Sequence, residues 1–234
     1  MKNARRFAGS LAALAAVVLA APLVWSQSKS PLEDVLTKMD EAAARFRSTE
    51  ADFVWDQYLK VVDKADTQKG KVYFRRSGNE VQMAADIRDP NPQYVLYSDA
   101  KVQVYQPRID QITVYDAGKD KAAVETFLVL GFGGRGHDLS KSFDVKYAGT
   151  ENIGNLETTK LELVPKAASV RNNFSRILLW IDPARGISVQ QQLFDPDQNY
   201  RLAKYSDIKV NRPITDSAFK IKTTGKTKTV SPSS

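Results

Sequence analysis

The chain contains no cysteine and a single histidine, His137, among its 234 residues. Without cysteine it can form neither disulfide bonds nor thiolate metal sites, and one histidine cannot build a histidine cluster for a metal ion. No G-x-S-x-G sequence supplies a nucleophilic serine. We therefore interpret His137 as a surface or loop residue, expect no cofactor and no metal, and favour binding over catalysis.

Two other signatures of enzymes are present but poorly placed. Residues 131–136 match G-x-G-x-x-G, which binds a pyrophosphate group only between a strand and the helix that follows it. Here the motif follows a helical pattern, so we predict a flexible exit from a helix. Asp52 and Asp56 are candidate carboxylates for glycoside hydrolysis, but the extended chain between them holds them far apart. An enzyme stays an alternative that a cavity lined by paired carboxylates would support.

The first 26 residues have the pattern of a secretory signal peptide. Lys2, Arg5 and Arg6 precede the apolar residues 11–21, and Val24-Trp25-Ser26 forms a cleavage site before Gln27. The apolar run is too short for a membrane span, although an uncleaved N-terminal anchor is the alternative. We predict an exported protein of the periplasm.

The mature chain fits one domain, which we place at residues 27–222. A chain of that length buries enough apolar surface to fold without covalent crosslinks. Residues 223–234 are rich in lysine, threonine and serine, and this composition predicts a disordered basic tail. Because the chain is exported, we do not expect nucleic acid as a partner, despite the formal charge of +7.

An amphipathic helix is predicted at residues 31–47. Ser30-Pro31-Leu32-Glu33 is a capping box with proline at the first helical position. Apolar residues then recur at helical spacing: Leu32, Val35, Leu36, Met39, Ala43 and Phe46. Such a stripe must cover an apolar surface elsewhere in the molecule.

After this helix the apolar period changes to two, which is typical of strands. Residues 53–61 and 72–76 alternate in this way, and Ser77-Gly78-Asn79 forms a tight turn into residues 81–87. Shorter runs follow at residues 94–98, 101–105, 111–116, 143–148, 158–164, 174–181, 188–194 and 200–210. Hairpin follows hairpin without a βαβ rhythm, which indicates an antiparallel sheet.

The predicted fold class is mainly β (α+β), a curled antiparallel sheet or unclosed barrel with helices across its mouth. A sheet of that many strands with one apolar face must curl or be covered to hide that face from water. Residues 119–130 interrupt the strand pattern, and Val124, Phe127 and Leu128 share one helical face there. We predict that this short helix is a lid, with ordinary core packing as the alternative.

Arg76 lies on the same strand face as Val72 and Phe74, which we expect to be the apolar one. A buried guanidinium needs acceptors for its donors, and the carbonyl groups at the ends of the covering helices are suitable. Arg76 would then act as a clasp that is bonded when the lid is closed. The alternative is that Arg76, at the end of its strand, simply reaches solvent.

Several short motifs resemble the LolA family of periplasmic lipoprotein carriers, within the wider LolA-like and LolB group. They occur in the family's order and cover most of the mature chain. The motifs are Ala51-Asp52-Phe53 with Gln57, Gly70 to Arg76, Ser98-Asp99-Ala100-Lys101, Val104-Tyr105-Gln106-Pro107, Asp110-Gln111-Ile112, and Asn211-Arg212-Pro213-Ile214 followed by Asp216 and Ala218-Phe219.

The resemblance implies an unclosed β-barrel of about eleven strands with a helical lid. Its cavity would hold the acyl chains of a lipoprotein, received from an inner-membrane ABC transporter and passed to a LolB-like acceptor at the outer membrane. Arg76 falls on the position of the family's lid-locking arginine. We expect a monomer, and the predicted residues of cavity and lid are Phe53, Trp55, Val72, Phe74, Val81, Met83, Phe127 and Leu128.

Two further functions stay open at this point. A LolA-like chain can carry another lipid, such as a glycolipid or a hopanoid. It can also be a sensor or interaction module that reads lipidated partners without carrying them. The lipid that copurifies with the protein, and transfer to acceptor membranes, distinguish these alternatives.

Overall fold

Most of the chain forms one sheet, curled around a single apolar side. The computed structural model describes residues 30–78, 80–118, 124–125, 128 and 130–232, so the predicted signal peptide lies outside the described residues. The helices are α1 (Pro31–Arg45), α2 (Leu139–Ser142) and α3 (Ala168–Arg171). The strands are β1 (Ser48–Leu59), β2 (Lys64–Ser77), β3 (Glu80–Asp89), β4 (Gln93–Ser98), β5 (Lys101–Gln106), β6 (Gln111–Asp116), β7 (Phe143–Ile153), β8 (Leu156–Pro165), β9 (Arg176–Asp182), β10 (Ile187–Phe194), β11 (Tyr200–Val210) and β12 (Lys228–Val230).

The sheet has 12 strands in the order β12-β6-β5-β4-β3-β2-β1-β11-β10-β9-β8-β7. Every neighbouring pair is antiparallel except β12 and β6, which run parallel. The first strand therefore sits in the middle of the sheet, between β2 and β11, and no ladder joins β7 to β12 among the described residues. The predicted curled, unclosed antiparallel sheet is confirmed. In the part of the chain that the structure describes, no helix is both long and apolar enough to span a bilayer.

Helix α1 begins where the capping box predicts. The side chain of Ser30 accepts a hydrogen bond from the backbone N–H of Glu33 at 3.2 Å, and Pro31 opens the helix. Val35, Leu36, Met39 and Ala43 are buried, so the predicted stripe faces inward. The helix ends at Arg45, two residues earlier than predicted, because Phe46 adopts an extended conformation and leads into β1.

Helix α1 covers only one half of the concave face. Its buried side chains pack against residues of β7, β8 and β9, among them Phe143, Leu161 and Leu179. On the other half, β1, β2 and β3 contribute a second apolar cluster around Phe53 and Phe74. This second half receives no helix of comparable length among the described residues, and it is where the main apolar cavity lies.

The tail is not disordered over its described part, which corrects the sequence prediction. Lys228–Val230 pair with Gln111, Ile112 and Thr113 of β6. Asp110 fixes the preceding turn, since its carboxylate accepts hydrogen bonds from the hydroxyls of Thr224 at 2.6 Å and Thr227 at 2.7 Å. These hydrogen bonds join residues more than a hundred positions apart, and composition alone does not reveal them.

The glycine-rich segment 131–136 is packed, not a flexible exit. Gly133 has a φ of +75°, and a Cβ there would collide with the ring of Phe46. A Cβ at Gly136 would collide with the backbone of Leu36 in α1. The glycines therefore let the backbone pass close to α1 and to Phe46, which follows it, where larger residues would not fit. The motif has a structural role and does not open a helix.

Candidate apolar cavity and its mouth

An apolar cavity of about 420 Å³ lies on the uncovered half of the concave face. Strands β1, β2, β3, β4, β10 and β11 form its floor and walls, and the segment around Leu130 forms part of its roof. Its lining residues are Phe53, Trp55, Val72, Phe74, Met83, Ala85, Ile87, Val95, Leu128, Leu130, Phe132, Phe174, Gln191, Leu193, Arg201, Ala203 and Tyr205. Two of these side chains, Gln191 and Arg201, end in an amide or a charge, so the lining is suited to an apolar ligand.

The structure brings most of the predicted cavity residues together. Phe53, Trp55, Val72, Phe74, Met83 and Leu128 all line this cavity. Val81 does not, because it pairs with Arg76 at the far end of the β2–β3 hairpin. Phe127 lies outside the described residues. The role of these side chains in ligand binding stays a prediction.

Phe132, which the sequence analysis did not select, is central to the cavity wall. Its ring is almost fully buried and stacks on Phe74, with 4.9 Å between the ring centres. It meets Tyr205 edge to face at 4.8 Å. Phe132 reaches this position from the glycine-rich segment, where no strand or helix period signals burial. Tyr205 and Ala203, two residues apart on β11, could have been found from strand alternation.

The segment that precedes Phe132 is tied to the sheet by polar contacts. The phenol of Tyr97 on β4 donates a hydrogen bond to Glu125 at 3.0 Å. Burial and this hydrogen bond raise the pKa of Tyr97 to about 12, so the phenol keeps its proton at any physiological pH. The Gln191 side chain donates to the carbonyl of Leu130, and the Ser188 N–H donates to Gly131. Hydrogen bonds thus join the described part of the predicted lid to the sheet at Glu125 and at Leu130.

A second, more polar cavity of about 900 Å³ adjoins the first. The two share Leu128, Phe174, Leu193 and Arg201 in their linings, so they lie side by side. The second cavity opens beside the turn between β10 and β11, where Asp195, Asp197 and Asn199 contribute polar groups. We call it the mouth.

A family model of the outer membrane lipoprotein carrier protein LolA matches residues 44–222. The chain belongs to the LolA family. The match includes every strand that lines the cavity, and the sequence resemblance is thereby confirmed. A search of curated protein sequences finds no significant match.

Solved structures share the fold of this LolA-family chain at low sequence identity. An uncharacterised conserved protein from Thermus thermophilus matches with a TM-score of 0.55 and 11% identity, over 87% of this chain and 100% of that one. The complex of MucA and MucB from Pseudomonas aeruginosa matches with a TM-score of 0.50 and 13% identity, over 82% of this chain and 62% of that one. A structure of MucB alone matches with a TM-score of 0.51 and 14% identity, over 81% of this chain and 62% of that one. This chain therefore spans about three fifths of the MucB chains, and these likenesses show the fold alone.

Arg76, the predicted clasp of the LolA-family lid, lies at the junction of β2 and the end of α1. Its guanidinium carbon is 5.9 Å from the ring centre of Phe46, the residue that follows α1. Its backbone N–H donates to the carbonyl of Arg47 at 2.8 Å. Among the described residues no carbonyl group accepts a hydrogen bond from the guanidinium, and Arg76 does not line the cavity. The action of Arg76 as a clasp stays a prediction. Its guanidinium faces the ring of Phe46.

His137 joins the glycine-rich segment to α1. Its Nδ1 lies 2.6 Å from Asp40 Oδ2, and its Nε2 lies 3.1 Å from Glu33 Oε1. Carboxylate oxygens only accept hydrogen bonds, so the doubly protonated imidazolium satisfies both contacts. The hydrogen bond to Asp40 raises the pKa of His137. Burial of Asp40 opposes its ionisation, but the hydrogen bonds from His137 hold the pKa of Asp40 below its usual value. The Arg135 Nη2 atom, 4.0 Å from Asp40 Oδ2, acts in the same direction.

The His137 contacts predict a pH-dependent stability. The pKa of His137 in the folded chain is raised above its ordinary value of 6.5. The protonated side chain therefore contributes fully to the stability of the fold below about pH 6.5, and this contribution is lost as the pH rises through the pKa of the folded chain. The wild-type melting temperature should therefore fall between about pH 6 and pH 8.5 by more than that of His137→Gln. Thermal unfolding of both chains over this range measures the difference. Parallel pH profiles would show that the imidazolium does not contribute.

Proposed function

We propose that the chain is a periplasmic chaperone that carries lipoproteins from the inner membrane to the outer membrane with their acyl chains in the apolar cavity. The observation that carries the proposal is this apolar cavity, which lies on the half of the sheet that α1 leaves uncovered. Membership of the LolA family supports a lipid-binding carrier over an enzyme. Among the described residues no cluster of histidine and carboxylate side chains is suited to a metal ion.

The energetics favour a covered cavity for this task. Each methylene group removed from water contributes about 0.8 kcal/mol, so one sixteen-carbon chain gains on the order of 10 kcal/mol before other terms are subtracted. Release requires that part of this gain is offset, and opening the fastened lid segment supplies such a term. The carrier needs no nucleotide site of its own, because an inner-membrane ABC transporter would load it and a LolB-like acceptor would unload it.

The test is to purify the mature chain from its native periplasm and analyse what copurifies by denaturing mass spectrometry. Acylated polypeptides would support a lipoprotein carrier, whereas free lipid alone would support the carrier of another lipid. Cargo that binds but does not pass to acceptor membranes would support an interaction module. A chain that is empty and takes up no fluorescent fatty-acyl probe would overturn the proposal.

A further inference from the structure

The connection between β1 and β2 carries the two most exposed large apolar side chains among the described residues. Lys60–Val62 form one turn of 3₁₀ helix, and Asp63 follows in a left-handed conformation with a φ of 47°. Val61 is 94% exposed and Val62 is 61% exposed. A single exposed valine is ordinary, but two adjacent ones at the end of a hairpin are not. We call residues 60–63 the valine tip.

The valine tip is held in place by polar contacts on both sides. The phenol of Tyr58 donates a hydrogen bond to Asp63 Oδ1 at 2.7 Å, and the backbone N–H of Lys60 donates to Asn199 Oδ1 at 2.9 Å. Tyr58 also stacks on Tyr200, with ring centres 4.8 Å apart. These contacts leave the two valines pointing away from the protein, so their exposure does not result from a loose loop.

The tip also protrudes beyond β3, its neighbour on one side. Lys69 of β2 pairs with Val54 of β1 on one side and with Asp89, the last residue of β3, on the other. The part of the hairpin from Trp55 to the tip therefore extends past β3. A flat surface that approaches this end of the sheet meets Val61 and Val62 before it meets β3.

A row of side chains on β1 leads from the cavity to the tip. Phe53 and Trp55 line the apolar cavity, and Gln57 and Leu59 line the mouth. These four residues alternate along the strand and so lie on one face. The row ends at Leu59, the last residue of β1, and Val61 follows two residues later in the 3₁₀ turn. An acyl chain that leaves the cavity along β1 would therefore emerge beside the tip.

A lipid surface fits the valine tip better than a protein does. Two valine side chains are far too small for a stable protein interface, which buries about 800 Å² on each partner. Their apolar groups can be buried at the boundary between head groups and acyl chains, while flanking lysines such as Lys60 and Lys64 keep their charges in water. Asp66 lies 3.8 Å from the Lys64 ammonium, so charge attraction to anionic lipid is weak and insertion is the main term.

We propose that the valine tip docks the mouth on a phospholipid bilayer by inserting Val61 and Val62, which places the β1 end of the cavity beside the membrane proteins that load and unload it. This inference rests on the proposed function, since it concerns how the same cavity exchanges its ligand.

The test uses the double variant Val61→Ser with Val62→Ser, which removes the apolar groups without adding charge. Tyr115→Ser is the matched control, because Tyr115 is 49% exposed near the opposite end of the sheet. Cosedimentation with vesicles of phosphatidylethanolamine and phosphatidylglycerol measures docking, and uptake of a fluorescent fatty-acyl probe in solution measures the cavity. We expect the double variant to bind the probe normally but to partition onto vesicles about tenfold more weakly or worse. The control should match the wild type in both measurements.

Equal partitioning of the double variant and the wild type onto vesicles would overturn the docking inference. Normal uptake of the probe by the same chains would leave the proposed function intact. Valine-dependent binding to native membranes, without binding to protein-free vesicles, would overturn it in favour of a membrane protein. A wild-type chain that takes up no probe would overturn the proposed function and this inference together.

Discussion

The substitution Ala203→Trp is expected to weaken binding of a fluorescent fatty-acyl probe by about a hundredfold. Ala203 lines the apolar cavity and pairs with Trp55 on β1 and Gln191 on β10. An indole ring at this position occupies space that about four methylene groups of the ligand would fill. At about 0.8 kcal/mol for each group, the loss is about 3 kcal/mol, which corresponds to a hundredfold change in affinity. Fluorescence titration measures it directly.

Ala148→Trp is the matched control, because Ala148 is exposed on β7 and lines neither cavity. Its affinity for the probe should equal that of the wild type. If Ala203→Trp unfolds the chain, Ala203→Leu provides a smaller block, with an expected intermediate loss of affinity. Unchanged affinity in a folded Ala203→Trp chain would show that the acyl probe does not bind in this cavity.

The substitution Arg76→Leu is expected to slow release of the bound probe by about tenfold. Leucine next to Phe46 replaces a charged group by an apolar contact of roughly 1.5 kcal/mol, and this contact favours the closed, loaded state. Affinity at equilibrium should rise by a similar factor. Displacement of the probe by excess unlabelled fatty acid, followed over time, measures the release rate.

Arg75→Leu provides the comparison for Arg76→Leu. Arg75 is the adjacent residue but faces the other side of the sheet, where its guanidinium bonds to Gln82 and Asp216 and stacks on Phe219 at 4.3 Å. Its replacement should loosen the C-terminal segment and leave the release rate unchanged. Normal release from Arg76→Leu would remove the basis for a clasp at this position.

The sequence predicted the sheet well because burial on one face imposes a period of two on each strand. Strands β6 and β11 occupy the predicted residues, and α1 begins at its capping box. Strand β12 was missed because three residues, Lys228–Val230, carry no such period. Their place in the sheet depends on Asp110, which is distant in sequence.

The cavity was predicted in part for the same reason. Phe53, Phe74 and Met83 follow the strand period, and the structure places all three in the lining. Val81 lies on the predicted face of β3 but too close to the β2–β3 turn to reach the cavity. Strand alternation predicts the face of a residue and not its distance from the cavity. Phe132 was missed because its burial depends on a glycine-rich turn that passes against Phe46.

The gap between β7 and β12 has a consequence for the range of ligands. In a closed barrel the number of strands and their stagger fix the diameter. Here no ladder among the described residues joins the two ends of the sheet. The circumference can therefore widen through small changes of twist between neighbouring strands, without breaking a single backbone hydrogen bond. If the proposed carrier function is correct, we expect the internal volume to follow the size of the ligand, so that acyl chains of different length and number fit the same chain.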